Sequence, residues 1–152
     1  MRPILLLLFT VPILAFGHNE KVTNLNDVFL KDSLLLQKQD STLVNGKVVR
    51  YRGDGKLRMA YYVENGKLNG FNRRWNNKGG LTNEVFFKDN LMNGHFKSWN
   101  ENGDLIEEGQ YIDNKKFGKW KKWTELYGRL VYKEEGLFKD NKKEGVWKKW
   151  LL

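Results

Sequence analysis

From about residue 46 onward the chain alternates short apolar runs with pairs of turn-forming residues. Runs of six to nine residues, rich in aromatic and β-branched types, end in Asp-Gly, Asn-Gly or Asp-Asn before the next run begins. One set of turn signals falls at Asp54-Gly55, Lys78-Gly79-Gly80, Asn102-Gly103 and Tyr127-Gly128; the other falls at Asn65-Gly66, Asp89-Asn90, Asp113-Asn114 and Asp140-Asn141. Asn, Asp and Gly tolerate the positive φ that tight hairpin turns require. No run carries the 3.6-residue period of an amphipathic helix, so the pattern predicts strands joined as hairpins.

The hairpins repeat. Glycines recur at Gly46, Gly70, Gly94, Gly118 and Gly145, spaced 24, 24, 24 and 27 residues apart. Five residues after each stands a large aromatic: Tyr51, Trp75, Trp99, Trp123 and Trp150. Two residues after the last three stands another, Phe96, Trp120 and Trp147, whereas the second unit has Asn72 there and its aromatic, Phe71, one residue early. Seven residues before a repeat glycine come Val63, Phe87, Tyr111 or Phe138. A fixed period of this length is the signature of a repeat architecture. The units run 46–69, 70–93, 94–117, 118–144 and a partial 145–152, and the longer fourth unit predicts a longer strand or a bulge near Glu134-Glu135-Gly136.

Positions +2 and +5 have opposite parity, so on a regular strand they face opposite sides of the sheet. A single layer of hairpins has no second sheet to pack against, and large rings stacked from unit to unit can replace it. The expected structural core is therefore Tyr51, Trp75, Phe87, Phe96, Trp99, Tyr111, Trp120, Trp123 and Phe138. The repeat glycine is expected to let neighbouring strands approach closely. Residues 18–45 lack the glycine–aromatic signature. Asp27 to Leu30, Lys31 to Ser33 and Leu34 to Gln37 read as strand, turn and strand, which predicts an N-terminal cap over the first edge of the stack. The fold class is all-β: an elongated single-layer stack of antiparallel hairpins with an N-terminal β cap.

Between the two aromatics lie Val49-Arg50, Arg73-Arg74, Lys97-Ser98, Lys121-Lys122 and Lys148-Lys149. Stacking aligns these into basic ladders. Residues 70 to 117 carry seven basic and seven acidic residues, whereas residues 118 to 152 carry ten basic and five acidic. A lysine-rich strand face can simply be solvated and resist aggregation. It can also meet an acidic partner, or an anionic membrane on which each basic residue contributes about 1 kcal/mol. The candidate binding residues are Arg73, Arg74, Lys97, Lys121, Lys122, Lys148 and Lys149. Trp147 and Trp150 join them, because nothing follows to cover them; this edge also suits self-association.

Composition agrees with a β-repeat. There are 15 Gly, 2 Pro and 14% aromatic residues in 152, with a formal charge of +9. Met1-Arg2, the apolar run Ile4 to Phe16 and the small residues Ala15 and Gly17 match a secretory leader over 1–17. The run is short of the roughly 20 residues of a membrane span. Export is the expectation, to the periplasm, outer envelope or cell exterior, with a mature chain starting near His18; nucleic acid then becomes an unfavoured partner. The chain has no cysteine. That removes disulfides, thiol nucleophiles and Cys-based metal sites.

Little points to catalysis. His95 sits where other units have Lys47, Phe71, Lys119 and Val146, which reads as a surface position. Glu107-Glu108 and Glu134-Glu135 are adjacent on strands and so face opposite sides, which gives no acid/base dyad. No cofactor or metal is expected.

The repeat resembles the MORN (membrane occupation and recognition nexus) family. Its unit runs aromatic-x-Asp/Asn-Gly/Asn-Lys-x-x-Gly-x-Trp-x-x-aromatic. Tyr111 to Trp123 follows that pattern closely, as does Phe138 to Trp150. The resemblance covers about 46–152 and is closest to the secreted bacterial subset that includes YwqK-type antitoxins. It implies a non-enzymatic scaffold with a protein partner. Anionic lipid binding and toxin neutralisation are the alternatives.

Overall fold

A computed structural model describes residues 21–152; the leader expected over 1–17 and the mature start near His18 lie outside these residues. The chain is all-β. Eleven strands form one elongated sheet: β1 (Val22–Asn24), β4 (Gly46–Tyr51), β5 (Leu57–Glu64), the short β6 (Lys67–Leu68), β7 (Gly70–Trp75), β8 (Leu81–Lys88), β9 (Leu91–Trp99), β10 (Leu105–Ile112), β11 (Lys115–Leu126), β12 (Arg129–Lys139) and β13 (Lys142–Leu151). β5 pairs antiparallel with β4, β6 and β7, and from β7 onward strands consecutive in sequence pair antiparallel. β2 (Val28–Lys31) and β3 (Leu34–Gln37) make a separate two-stranded hairpin.

The two turn sets differ in geometry. Asp89-Asn90, Asp113-Asn114 and Asp140-Asn141 all hold both φ angles positive, between 48° and 69°. This is the left-handed two-residue turn whose twist matches the strands. The asparagine also latches each unit to the one before. Asn90 Oδ1 accepts from Leu68 N, Asn114 Oδ1 from Met92 N and Asn141 Oδ1 from Lys116 N, each at 2.7 Å. The other set forms five-residue loops, except in the fourth unit. There β11 and β12 continue to a two-residue turn at Tyr127-Gly128, so the three extra residues become longer strand.

Three of the repeat glycines, Gly94, Gly118 and Gly145, lie at bulges. Three residues at 93–95, 118–120 and 145–147 oppose a single residue at 86, 109 and 136. All five repeat glycines have positive φ, from 62° to 141°. Conformation is thus their common requirement. The close approach expected of them holds for Gly46, Gly70 and Gly94 but not for Gly118 and Gly145, where an added Cβ meets nothing within 4 Å.

The cap departs from the expectation in two ways. Its first strand, β1, joins the sheet parallel to β4, and the β2–β3 hairpin lies across one sheet face. A second layer therefore exists at this end. Val28 and Val44 from the cap close a buried cluster with Val48 and Val63 of the sheet.

Candidate functional site

Alternation along the strands gives the sheet a ring face and an opposite face. The ring face carries the +2 residues Val48, Asn72, Phe96, Trp120 and Trp147. Trp120 is 1% exposed and stacks on Phe96 at 5.6 Å between centroids. Tyr111 and Phe138 meet it edge-on at 5.2 and 5.8 Å, and Phe138 meets Trp147 in the same way at 5.1 Å. Edge-to-face pairs of this kind add specific attraction to area burial. The indole N–H of Trp120 donates to the carbonyls of Gln110 and Phe117.

Two glycines outside the repeat series make this packing possible. A Cβ on Gly109 would overlap the Trp120 ring, and one on Gly136 would overlap the Trp147 ring. Neither has the positive φ of the repeat glycines. They are small because a ring lies flat on them. Their shared 27-residue spacing from Gly109 to Gly136, each preceded by Glu-Glu, is the sequence signal that marks them.

The opposite face carries the +5 aromatics, and it corrects part of the expected core. Trp75, Trp99 and Trp123 are only half-buried, while Tyr51 and Trp150 are 49% and 40% exposed. Among the described residues no second layer covers this side. The off-register Phe71 also points here, against Phe86 at 5.1 Å. Phe87 stays on the ring face, half-buried beside the cap.

The basic ladder forms, but glutamates interleave it. One row across the strands reads Arg73, Glu84, Lys97, Glu108, Lys121, Glu135 and Lys148. The parallel row on the ring face reads Arg74, Asn83, Ser98, Glu107, Lys122, Glu134 and Lys149. Arg73 bonds Glu84 at 2.6 Å and Lys121 bonds Glu108 at 2.6 Å. Glu135 takes Lys119 at 2.8 Å and Lys133 at 3.1 Å, and Glu134 faces Lys149 at 3.7 Å. The hydrogen bond from Lys121 to Glu108 raises the lysine's pKa. The bonds from Lys119 and Lys133 lower that of Glu135. The ladder is thus an alternating charge row rather than a uniform basic stripe. Opposite charges directly across strands stabilise register. Sequence spacing located the lysines but missed their partners, because the acidic pairs sit on the return strands outside the +2 to +5 window.

Two positions escape this neutralisation. Lys148 and Lys149 on β13 stand opposite Glu135 and Glu134 on one side only. Among the described residues β13 pairs with no strand on its other side. Beside them Val146 is 85% and Leu151 75% exposed. Trp147 is half-buried against Phe138 and donates to the Leu137 carbonyl, so it is less open than its place suggested. Trp150 is open, with the Lys133 ammonium 5.2 Å from its ring. The other position is Arg74, flanked in its row by Met59 and Asn83.

His95 is exposed and stands opposite Gln110. Glu107 bonds Lys116 and Glu108 bonds Lys121, from opposite faces. Among the described residues no group of three or more His, Cys, Asp or Glu side chains is arranged to hold a metal, and no helix is long and apolar enough to cross a membrane. No protein-family model, curated protein or solved structure matches the chain.

Proposed function

We propose that the chain is an exported, non-enzymatic MORN-type scaffold whose protein partner adds an acidic extended strand to β13. The carrying observation is the one-sided charge row. Lys121 and Lys122 have glutamates on both flanking strands, and Lys148 and Lys149 have them on one. β10 and β12 show what a complementary strand looks like. Both read Glu-Glu-Gly-x-aromatic: Glu107 to Tyr111 and Glu134 to Phe138. Such a strand would supply main-chain hydrogen bonds, two carboxylates for the lysines and a glycine under the next ring. Self-association through this edge is an alternative use of the same hydrogen-bonding groups. The interleaved glutamates leave the rest of the ladder little net charge to offer an anionic membrane.

A fluorescent peptide with the sequence of residues 104–112, which has three acidic and no basic residues, tests this by anisotropy against the full chain. Saturable binding is expected, weakened at least tenfold by Lys148→Glu with Lys149→Glu, since like charges directly opposite repel. Absence of binding, or equal binding to the variant, would sink the reading. Sedimentation of the unlabelled chain over a dilution series separates self-association.

A further inference from the structure

The ring face has one gap. At the +2 position, where later units place Phe96, Trp120 and Trp147, the second unit has Asn72. The cap hairpin covers the sheet before this point and the stacked rings cover it after. Between them a cleft of about 490 Å³ stays open. That lies within the usual range of small-molecule sites. Leu25, Leu30 and Leu35 form its cap wall, and Tyr61, Leu68 and Phe87 its sheet wall. The rim is fixed: Asn90 Nδ2 donates to the Ser33 carbonyl at 2.8 Å, tying the cap hairpin to the β8–β9 turn.

Two polar side chains line this apolar cleft. Asn72 is 9% exposed and lines the cleft. Arg74 lines the same cleft. Its neighbour Arg73 is held by Glu84, but among the described residues Arg74 has no carboxylate within 4 Å. A guanidinium presents a planar fork that matches a carboxylate, and a nearby side-chain amide can add a further donor.

We propose that this cleft binds a small amphipathic carboxylate, with its head on Arg74 and the Asn72 amide and its apolar body between the leucines and Phe87. A carboxylate fits better than a neutral polar group because both polar side chains can donate, and Arg74 can do nothing else. A long-chain alcohol leaves the guanidinium unpaired. A short carboxylate such as acetate leaves the apolar walls wet. This site is separate from β13, so it stands or falls independently of the strand-addition reading.

Calorimetric titration of the full chain with dodecanoate, below its micellar concentration, tests the proposal. One-to-one binding is expected, with dodecanol and acetate each at least tenfold weaker. Arg74→Gln should bring dodecanoate down to the level of dodecanol. Asn72→Phe restores the ring that other units carry at this position and should abolish binding. Leu30→Glu, at a rim residue already 70% exposed, should abolish it as well without touching the buried cluster. Thermal melts report which variants are folded, so a misfolded Asn72→Phe leaves Leu30→Glu and Arg74→Gln to decide. No dodecanoate binding, equal affinity for dodecanol, or unchanged binding in the folded variants would each overturn the assignment.

Discussion

The two ends of the ring face solve one problem by different means. At the N-terminal end the sheet is covered by a second layer, and small valines suffice: Val44 and Val48 are fully buried beneath the β2–β3 hairpin. At the C-terminal end none of the described residues forms a layer above, and the sheet covers itself with rings laid flat on glycines. Phe96, Gly109, Trp120, Gly136 and Trp147 alternate across the strands. A repeat stack cannot bury a core within one unit, so neighbours must supply it. Cover from above permits small residues, and self-cover demands a large residue next to none at all. Asn72 falls at the join of the two regimes, where neither applies.

The sharpest break of this comparison is Trp120→Ala. It removes a ring that touches Phe96, Tyr111 and Phe138 together. The expected loss is about 3–5 kcal/mol in urea melts. Trp99→Ala, on the uncovered face, should cost distinctly less. Equal losses would mean that the two faces contribute alike. Gly109→Ala tests the other half of the pairing. One methyl there must displace the Trp120 ring, and overpacking of this kind costs about 1–3 kcal/mol. The same change at Gly103, in an open loop at φ 90°, carries a conformational penalty but meets no neighbour, so the ring signals in near-ultraviolet dichroism should move only for Gly109→Ala.

Much of this architecture was legible in the sequence. The positions of the turns, the opposite parity of +2 and +5, and the cap hairpin all follow from residue types at fixed spacing. What stayed hidden depended on partners across strands. The role of Gly109 and Gly136 appears only when Trp120 and Trp147 are seen lying on them. The lysines read as a basic stripe because their glutamates belong to strands that return in the opposite direction. The half-exposure of Trp99 and Trp123 was equally hidden. Their spacing is as regular as that of Trp120, and only the absence of a covering layer separates them. Val44, at 0% exposure, lies in a segment with no repeat signature and is buried by the fold of the cap alone.

The join between the two ends is held by Asn90. Its side chain accepts from Leu68 N and donates to the Ser33 carbonyl, whereas the equivalent Asn114 accepts only from Met92 N. Asn90→Gly keeps the positive φ of 69° available while deleting both side-chain bonds. At about 0.5–1.5 kcal/mol per bond, the expected loss is about 1–3 kcal/mol, against about half that for Asn114→Gly. The cap should also open locally. Limited proteolysis near Asp40-Ser41 should speed up for Asn90→Gly and not for Asn114→Gly. Equal rates would show that the buried valines alone hold the cap.

The smallest effect separates the two ways in which the ring end handles charge. Burial, and then the nearby Glu107 carboxylate, raise the Tyr111 pKa above its ordinary 10.0, and the Glu108 hydrogen bond raises that of Lys121 above 10.5. Both groups bind protons more tightly folded than unfolded. Their contribution is therefore complete below the unfolded values and is lost as pH rises through the raised folded ones. Glu135 is lowered from 4.5, so its contribution is present above that value and disappears as pH falls through its lower folded value. Stability should accordingly decline on both sides, below about pH 4.5 and above about pH 10, with a plateau between. Added salt divides the causes. It screens the Glu135 pairs, of which the Lys119 end is exposed, and should flatten the acid limb, while the alkaline limb should persist because burial of the Tyr111 phenol is not screened. Tyr111→Phe should then shrink the alkaline limb and leave the acid one untouched. An alkaline limb that vanishes in salt would assign it to Lys121 and Glu108 instead, and the ring stack would have no part in it.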